Sequence, residues 1–187
     1  MSKRTPQGYD ALQISLHWLI AVLIAFAFAC AWIFDDMPLS PDKFKFINWH
    51  KWTGITVMSL FFIRFGYKLI RGIPAVDPAI PAIERKLAVS VHHLLYALML
   101  ALPLLGWMMS SAKGFPVVAW GILPLPDLVA KNEALGEILK NAHQFLAYSL
   151  LLLIGLHIAG ALKHYLIDKD GTLGRMLPFL NHLKREK

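Results

Sequence analysis

The chain has little charge and almost no cysteine. Only 17% of its 187 residues are charged, against about 25% in a typical soluble domain. Its single cysteine, Cys30, excludes an intrachain disulfide and a cysteine-based metal cluster. The glycine-rich loops that bind nucleotide phosphates are also absent, as are internal repeats and low-complexity tracts. The scarcity of charge makes a membrane protein the first interpretation.

Long apolar stretches take the place of the missing charge. The chain is 57% hydrophobic, with a mean hydropathy of +0.52, and a bilayer core is crossed by about 20 apolar residues in a helix. Four stretches meet this length, and they predict helices at about 12–34, 46–71, 84–111 and 141–167, followed by a tail at 168–187. We therefore expect residues 1–187 to form one transmembrane domain, an all-α four-helix bundle. The first helix ends in an A-x-A-like segment, but we expect it to be uncleaved because it carries His17.

The placement of positive charge predicts an orientation. The net charge of +7 and the pI of about 9.6 could indicate a nucleic-acid partner. With a cytoplasmic N-terminus, however, twelve lysines and arginines fall in the inner loops and tails and six in the outer loops. This asymmetry follows the positive-inside rule, so we expect both termini in the cytoplasm and no nucleic-acid partner.

Three histidines lie in or at the end of the fourth apolar stretch, in the segment HQFLAYSLLLLIGLHIAGALKHY at 143–165. His143 and His157 are fourteen residues apart, which is about 40° short of four full helical turns and about 21 Å along the axis. His164 lies seven residues further on and is rotated by only about 20° more. Ionisable residues inside membrane helices usually face the bundle interior and mark functional sites, so this stripe predicts a site at each end of the helix.

Each end of the stripe has a histidine partner at its own depth. His17 and His157 lie near the cytoplasmic surface and are named the inner pair; His50 and His143 lie near the opposite surface and are named the outer pair. Two pairs about 20 Å apart suit two stacked haems with two axial imidazoles each. Four histidines that serve only packing would not be expected to match in depth as two pairs. A divalent-metal site would need more ligands at one depth, usually with carboxylates.

Four motifs carry a family resemblance over nearly the whole chain: LQISLHWLIA, INWHKWTGI, ALPLLGWMMS and GLHIAGALKHYLIDKDGTLGRMLP. The chain thereby resembles the bacterial cytochrome b561 family of four-helix, di-haem proteins of the inner membrane. The resemblance implies two haem b groups, with His17 and His157 as axial ligands of the inner haem and His50 and His143 as ligands of the outer haem. The resemblance also implies a quinone-linked electron carrier. The best understood type in that family oxidises superoxide at the periplasmic face and reduces ubiquinone.

Further residues acquire expected roles in such a reaction. Lys51, Lys113 and Lys140 are predicted at the periplasmic surface, where positive charge would attract a small anion such as superoxide. Quinone reduction consumes protons, and His164 is predicted to bond a quinone carbonyl or relay its proton, because histidine is a common proton carrier at neutral pH. His92, in the inner half of the third helix, is predicted to face the same pocket. The lysines could instead only anchor helix ends, and His164 could cap its helix or bond a haem propionate.

Two alternatives stay open at this point. The chain could be the membrane-anchor cytochrome b of a larger dehydrogenase, passing electrons from a periplasmic partner subunit to quinone. It could also be a metal or proton transporter that uses the histidine stripe without haem, although this is the weaker interpretation. The partners expected in every case include membrane lipid.

Overall fold

Four long α-helices make up most of the computed structural model, which describes residues 8–72, 74 and 80–180. The helices are α1 (Ala11–Asp36), α2 (Pro41–Arg71), α3 (Ala82–Ala112) and α4 (Glu133–Leu166). All four are long and apolar enough to cross a membrane. The predicted helical membrane bundle is therefore confirmed.

Two helices begin earlier than the sequence predicted. α2 begins at Pro41 rather than near 46, and α4 begins at Glu133 rather than near 141. Ser40 caps α2 through a bond from the Lys43 N–H, and Asn132 caps α4 in the same way. Such polar caps start a helix several residues before its apolar stretch begins, so hydropathy alone places the start too late.

The helices pack in chain order. α1 packs against α2, α2 against α3, and α3 against α4. Within the described residues the backbone of α4 does not come close to that of α1 or α2. Only 6% of the most apolar window of α4 is buried, so most of that helix is left to contact lipid or a bound group. The bundle is thus two helical hairpins joined by α2 and α3, with an open seam where α4 faces the first hairpin.

A short β-hairpin caps one end of the bundle, between α3 and α4. Its strands, β1 (Val118–Ala119) and β2 (Leu123–Pro124), are antiparallel. Trp52 of α2 donates its indole N–H to the Val118 carbonyl at 2.7 Å, and Trp107 of α3 donates to the Pro126 carbonyl at 3.0 Å. The sequence predicted only an interfacial loop here, whereas the structure shows a hairpin that accepts hydrogen bonds from side chains of α2 and α3.

The chain after α4 folds back onto the opposite end of the bundle. A 3-10 helix spans Leu173–Arg175, and the Trp18 indole of α1 donates to the Met176 carbonyl at 3.0 Å. This contact holds the segment against the start of α1. The rest of the predicted tail, with His182, lies outside the described residues.

Candidate functional site

The outer pair lies between two helices whose backbones, in the described part of the chain, do not come close to each other. His50 lies on α2 and His143 on α4, and their ring centres are 6.1 Å apart with an interplanar angle of 72°. Both side chains are half-buried. The seam between α2 and α4 is therefore bridged by two imidazoles that face each other.

Backbone carbonyls orient both rings of the outer pair. The Nδ1 of His50 lies 2.9 Å from the Ala27 carbonyl of α1, and the Nδ1 of His143 lies 3.1 Å from the Leu102 carbonyl of α3. Because a carbonyl only accepts hydrogen bonds, each Nδ1 must carry the proton. Each Nε2 is then left with a free lone pair, which is how metal-ligating histidines are normally held.

A glycine lets α3 approach the outer pair closely. A Cβ atom built at Gly106 would lie 3.2 Å from Cε1 of His143 and 3.5 Å from its Nδ1. These are tight contacts, so any larger residue would push the ring or the helix away. Gly106 and the Leu102 carbonyl, one turn apart on α3, therefore fix both the position and the tautomer of His143.

The inner pair has the same spacing but a different surrounding. His17 on α1 and His157 on α4 have ring centres 6.1 Å apart, at an interplanar angle of 67°. No carbonyl bond to either ring is found among the described residues. A third ring, that of His92 on α3, lies 5.0 Å from His157, with its Nδ1 2.7 Å from the carbonyl of Ala88. The inner site thus brings together the predicted pair and the predicted pocket residue His92.

The geometry of both pairs fits a bis-imidazole haem. Two imidazoles on opposite sides of one metal ion have ring centres roughly 6 Å apart, because each metal–nitrogen bond is about 2 Å and the ring centre lies about 1 Å behind the nitrogen. The observed separation of each pair is 6.1 Å. The members of each pair lie on helices whose backbones do not come close within the described part of the chain, which leaves room in the seam for a flat group. That the four histidines are iron ligands stays a prediction.

A cluster of two carboxylates and a histidine at the end of α4 resembles a site for a small cation, but a lysine already neutralises its negative charge. Ligand atoms of Glu84, His164 and Asp168 lie within 4.8 Å of one another. The Lys163 ammonium, however, lies 2.8 Å from Glu84 Oε2 and 2.9 Å from Asp168 Oδ2. A lysine therefore supplies the positive charge in this network, which ties the start of α3 to the end of α4.

His164 is held by two carboxylates beyond the inner pair. Its Nδ1 lies 2.7 Å from Asp170 Oδ2 and 3.1 Å from Asp168 Oδ2. Burial raises the pKa of Asp170, but hydrogen bonds from Thr172 and His164 outweigh it and hold that pKa below its ordinary value. Asp170 is therefore an ionised acceptor at neutral pH, so Nδ1 of His164 is the donor. The Nε2 of His164 is left to act on another group.

The three predicted anion-attracting lysines differ in their contacts at the hairpin end. Lys113 forms an ion pair with Glu137, which cancels much of its charge. Lys51 directs its ammonium toward the Phe115 carbonyl at 3.5 Å, and Lys140 is exposed one turn before His143. Neither of these two forms an ion pair within the described residues. Positive charge near the outer pair therefore comes mainly from Lys51 and Lys140.

Arg64 was not predicted to belong to a site. An arginine near the end of a membrane helix is ordinarily expected to extend toward the membrane surface. In the structure its Nε donates to the Tyr96 hydroxyl at 3.2 Å and its Nη1 to the Gln13 carbonyl at 3.4 Å. One feature of the sequence could have indicated that Arg64 belongs to the inner site. It lies fourteen residues after His50, and the same interval separates His143 from His157.

Comparison with known proteins identifies relatives over nearly the full length. The family model described as prokaryotic cytochrome b561 matches residues 8–179. The protein named cytochrome b561 homolog 2 of Escherichia coli is 32% identical over 174 residues, covering 92% of this chain and 93% of that protein. The protein named probable superoxide oxidase CybB of Yersinia pestis is 32% identical over 171 residues, covering 91% of this chain and 96% of that protein.

Proposed function

The chain belongs to the prokaryotic cytochrome b561 family, and from this membership and its two histidine pairs we propose that it moves electrons across the membrane through two b-type haems. Transmembrane electron transfer and b-type haem follow from the family. The number of haems, the ligand pairs, the donor and the acceptor are our proposal. The donor we propose is superoxide and the acceptor ubiquinone.

One observation carries the proposal: each end of the bundle presents two facing imidazoles with ring centres 6.1 Å apart. A b-type haem held by two imidazoles exchanges single electrons and leaves no coordination position open for oxygen. His143 and His157 are separated by about 21 Å along α4, so the same helix supplies one ligand near each membrane surface. The protein is thus suited to carry electrons rather than to activate oxygen.

Superoxide is the proposed donor at the hairpin end. Oxidation of superoxide to oxygen releases one electron and no proton, so the outer site needs no acid or base of its own. Lys51 and Lys140 supply positive charge beside the outer pair, and such charge raises the rate at which an anion arrives. The name of the Yersinia pestis relative, probable superoxide oxidase, supports this choice of donor.

Ubiquinone is the proposed acceptor at the end near His164. Its reduction to ubiquinol takes up two electrons, from two superoxide ions, together with two protons. His164 is suited to hold or pass a proton at Nε2, because Asp170 binds Nδ1 and fixes the ring. His92, which lies beside His157, is the second proton-carrying group that we assign to this end.

The orientation we propose follows from charge. The inner loops and tails hold twice as many lysines and arginines as the outer loops, which favours cytoplasmic termini in a bacterial inner membrane. The outer pair and the β-hairpin then face the periplasm, where superoxide would arrive. Quinone reduction then takes protons from the cytoplasmic side.

The first test is the haem-to-protein ratio of the purified protein, with a reduced-minus-oxidised spectrum. We expect two b-type haems per chain and superoxide-driven reduction of ubiquinone by the isolated protein. One haem would mean that one histidine pair is assigned wrongly, and none would overturn the proposal. Two haems without superoxide turnover, and with activity restored by a periplasmic dehydrogenase subunit, would favour the membrane-anchor alternative.

A further inference from the structure

Arg64 stands at the depth of the inner pair, on the helix face that carries His50. The two residues are fourteen positions apart on α2, so they share a face and are separated by about 21 Å. The same interval separates His143 from His157 on α4. Since His50 faces His143 across the seam, the geometry directs Arg64 toward the site of His157.

The contacts of Arg64 agree with this placement. Its guanidinium donates to the Tyr96 hydroxyl of α3 and to the Gln13 carbonyl of α1. Gln13 lies one turn before His17 on α1. Tyr96 lies one turn after His92 on α3. Arg64 is therefore part of the inner site and does not extend away from it.

The charge of Arg64 has only neutral partners in the described chain. Both of its hydrogen-bond acceptors are uncharged, and no described carboxylate lies within ion-pair distance of it. A guanidinium stays protonated under all ordinary conditions, and charged groups at membrane depth are normally paired. Its planar fork of N–H donors matches a carboxylate, which it binds through two parallel hydrogen bonds. The partner that this site calls for is thus a carboxylate that the described chain does not itself supply.

We propose that Arg64 binds a propionate carboxylate of the inner b-type haem and raises the midpoint potential of that haem. The inference rests on the proposed function, which assigns one haem to His17 and His157. A haem carries two propionates on one edge, and pairing one with a fixed cation offsets negative charge that would oppose reduction. The inner site then accepts electrons more readily than it would without Arg64, which favours flow from superoxide toward quinone.

The potentials of the two haems provide the first test. In a redox titration of the Arg64→Gln holoprotein, we expect one haem to become about tenfold harder to reduce, a fall of about 59 mV for one electron. The other haem should be unchanged. Lys68→Gln is the matched control, because Lys68 lies one turn later on α2, contacts the Tyr96 ring at 4.8 Å and carries the same charge. Tyr96→Phe removes the hydrogen bond to Arg64 and keeps the charge.

Infrared difference spectra of the same proteins test the carboxylate directly. With haem labelled by carbon-13 in its propionates, the redox-linked carboxylate bands should shift in Arg64→Gln and not in Lys68→Gln. Arg64→Lys, which keeps the charge but loses the two-bond geometry, should shift the bands with a smaller change in potential. If the Arg64→Gln protein does not assemble with haem, the Arg64→Lys protein provides the test instead.

Three outcomes would overturn the inference. They are unchanged potentials and bands in a di-haem Arg64 variant, an equal shift in Lys68→Gln or Tyr96→Phe, or a potential shift in which the labelled bands do not move. A wild-type protein with a single haem would instead contradict the proposed function. That result would be seen before any variant is compared, so the two failures are distinguishable.

Discussion

The outer and inner histidine pairs have equal ring separations but different surroundings. At the outer pair, carbonyls of Ala27 and Leu102 fix both rings, and Gly106 lets α3 close against His143. The β-hairpin is anchored to the helices at the same end of the bundle. The outer site is therefore rigid, and backbone groups orient its rings.

The inner pair is surrounded by groups that carry charge or protons. His92 lies beside His157, and Arg64 approaches from α2. Beyond it, His164 is held by Asp170. This difference agrees with the proposed function, in which the outer half handles electrons alone and the inner half couples electrons to protons.

Removing one ligand from each pair would produce the largest effect. In His143→Ala and in His157→Ala we expect the haem content to fall from about two to about one per chain, because an axial imidazole is lost at one site only. Pyridine haemochrome assay against protein mass measures this. His93→Ala, at an exposed neighbour of His92, should keep both haems. Loss of both haems from either variant would show that the two sites are not independent.

Removing His164 should separate the two halves of the reaction. In His164→Ala we expect ubiquinone reduction to slow about 100-fold, the loss typical of a missing acid–base group, while superoxide still reduces the bound haem at the wild-type rate. Stopped-flow spectroscopy follows both steps. Because the pKa of Asp170 is held below its ordinary value, that carboxylate stays ionised between about pH 5 and 8 and should add no pH dependence of its own to the rate in this range. Unchanged quinone turnover would remove His164 from the site.

Gly106→Ala should weaken the outer site alone. The new Cβ would lie 3.2 Å from Cε1 of His143, so the ring must move away from its bond to Leu102. We expect up to about tenfold faster loss of one haem on heating, consistent with an overpacking cost of about 1 kcal/mol or more. Gly66→Ala on α2, where a Cβ meets nothing within 4 Å, is the control. Equal haem loss from both variants would contradict the close contact at Gly106.

Neutralising a surface lysine should give the smallest effect. In Lys140→Gln we expect superoxide to reduce the protein about two- to threefold more slowly at low salt, with the difference disappearing as ionic strength rises. Lys86→Gln, at the opposite end of the bundle, should leave the rate unchanged. A wild-type rate that does not depend on salt would show that these lysines only anchor helix ends.

The sequence was sufficient to predict that four helices exist and which histidines share a depth, although it placed the starts of α2 and α4 too late. Apolar length alone predicts the spans, since lipid leaves no polar partner for an unpaired backbone. The fourteen-residue interval between His143 and His157 predicts a shared helix face because the helical repeat is fixed. These features depend on local geometry, which a single segment contains.

Only the tertiary structure shows how the surroundings of the outer pair differ from those of the inner pair. The carbonyls that orient His50 and His143 belong to α1 and α3, and the Tyr96 hydroxyl that accepts from Arg64 belongs to a different helix from Arg64 itself. Every residue has a backbone carbonyl, so the sequence does not indicate which carbonyl will accept a bond from a histidine. Contacts between helices depend on rotation and packing that no single segment encodes. Local periodicity therefore determined where the histidines lie, whereas the packing of neighbouring helices determined how they are held.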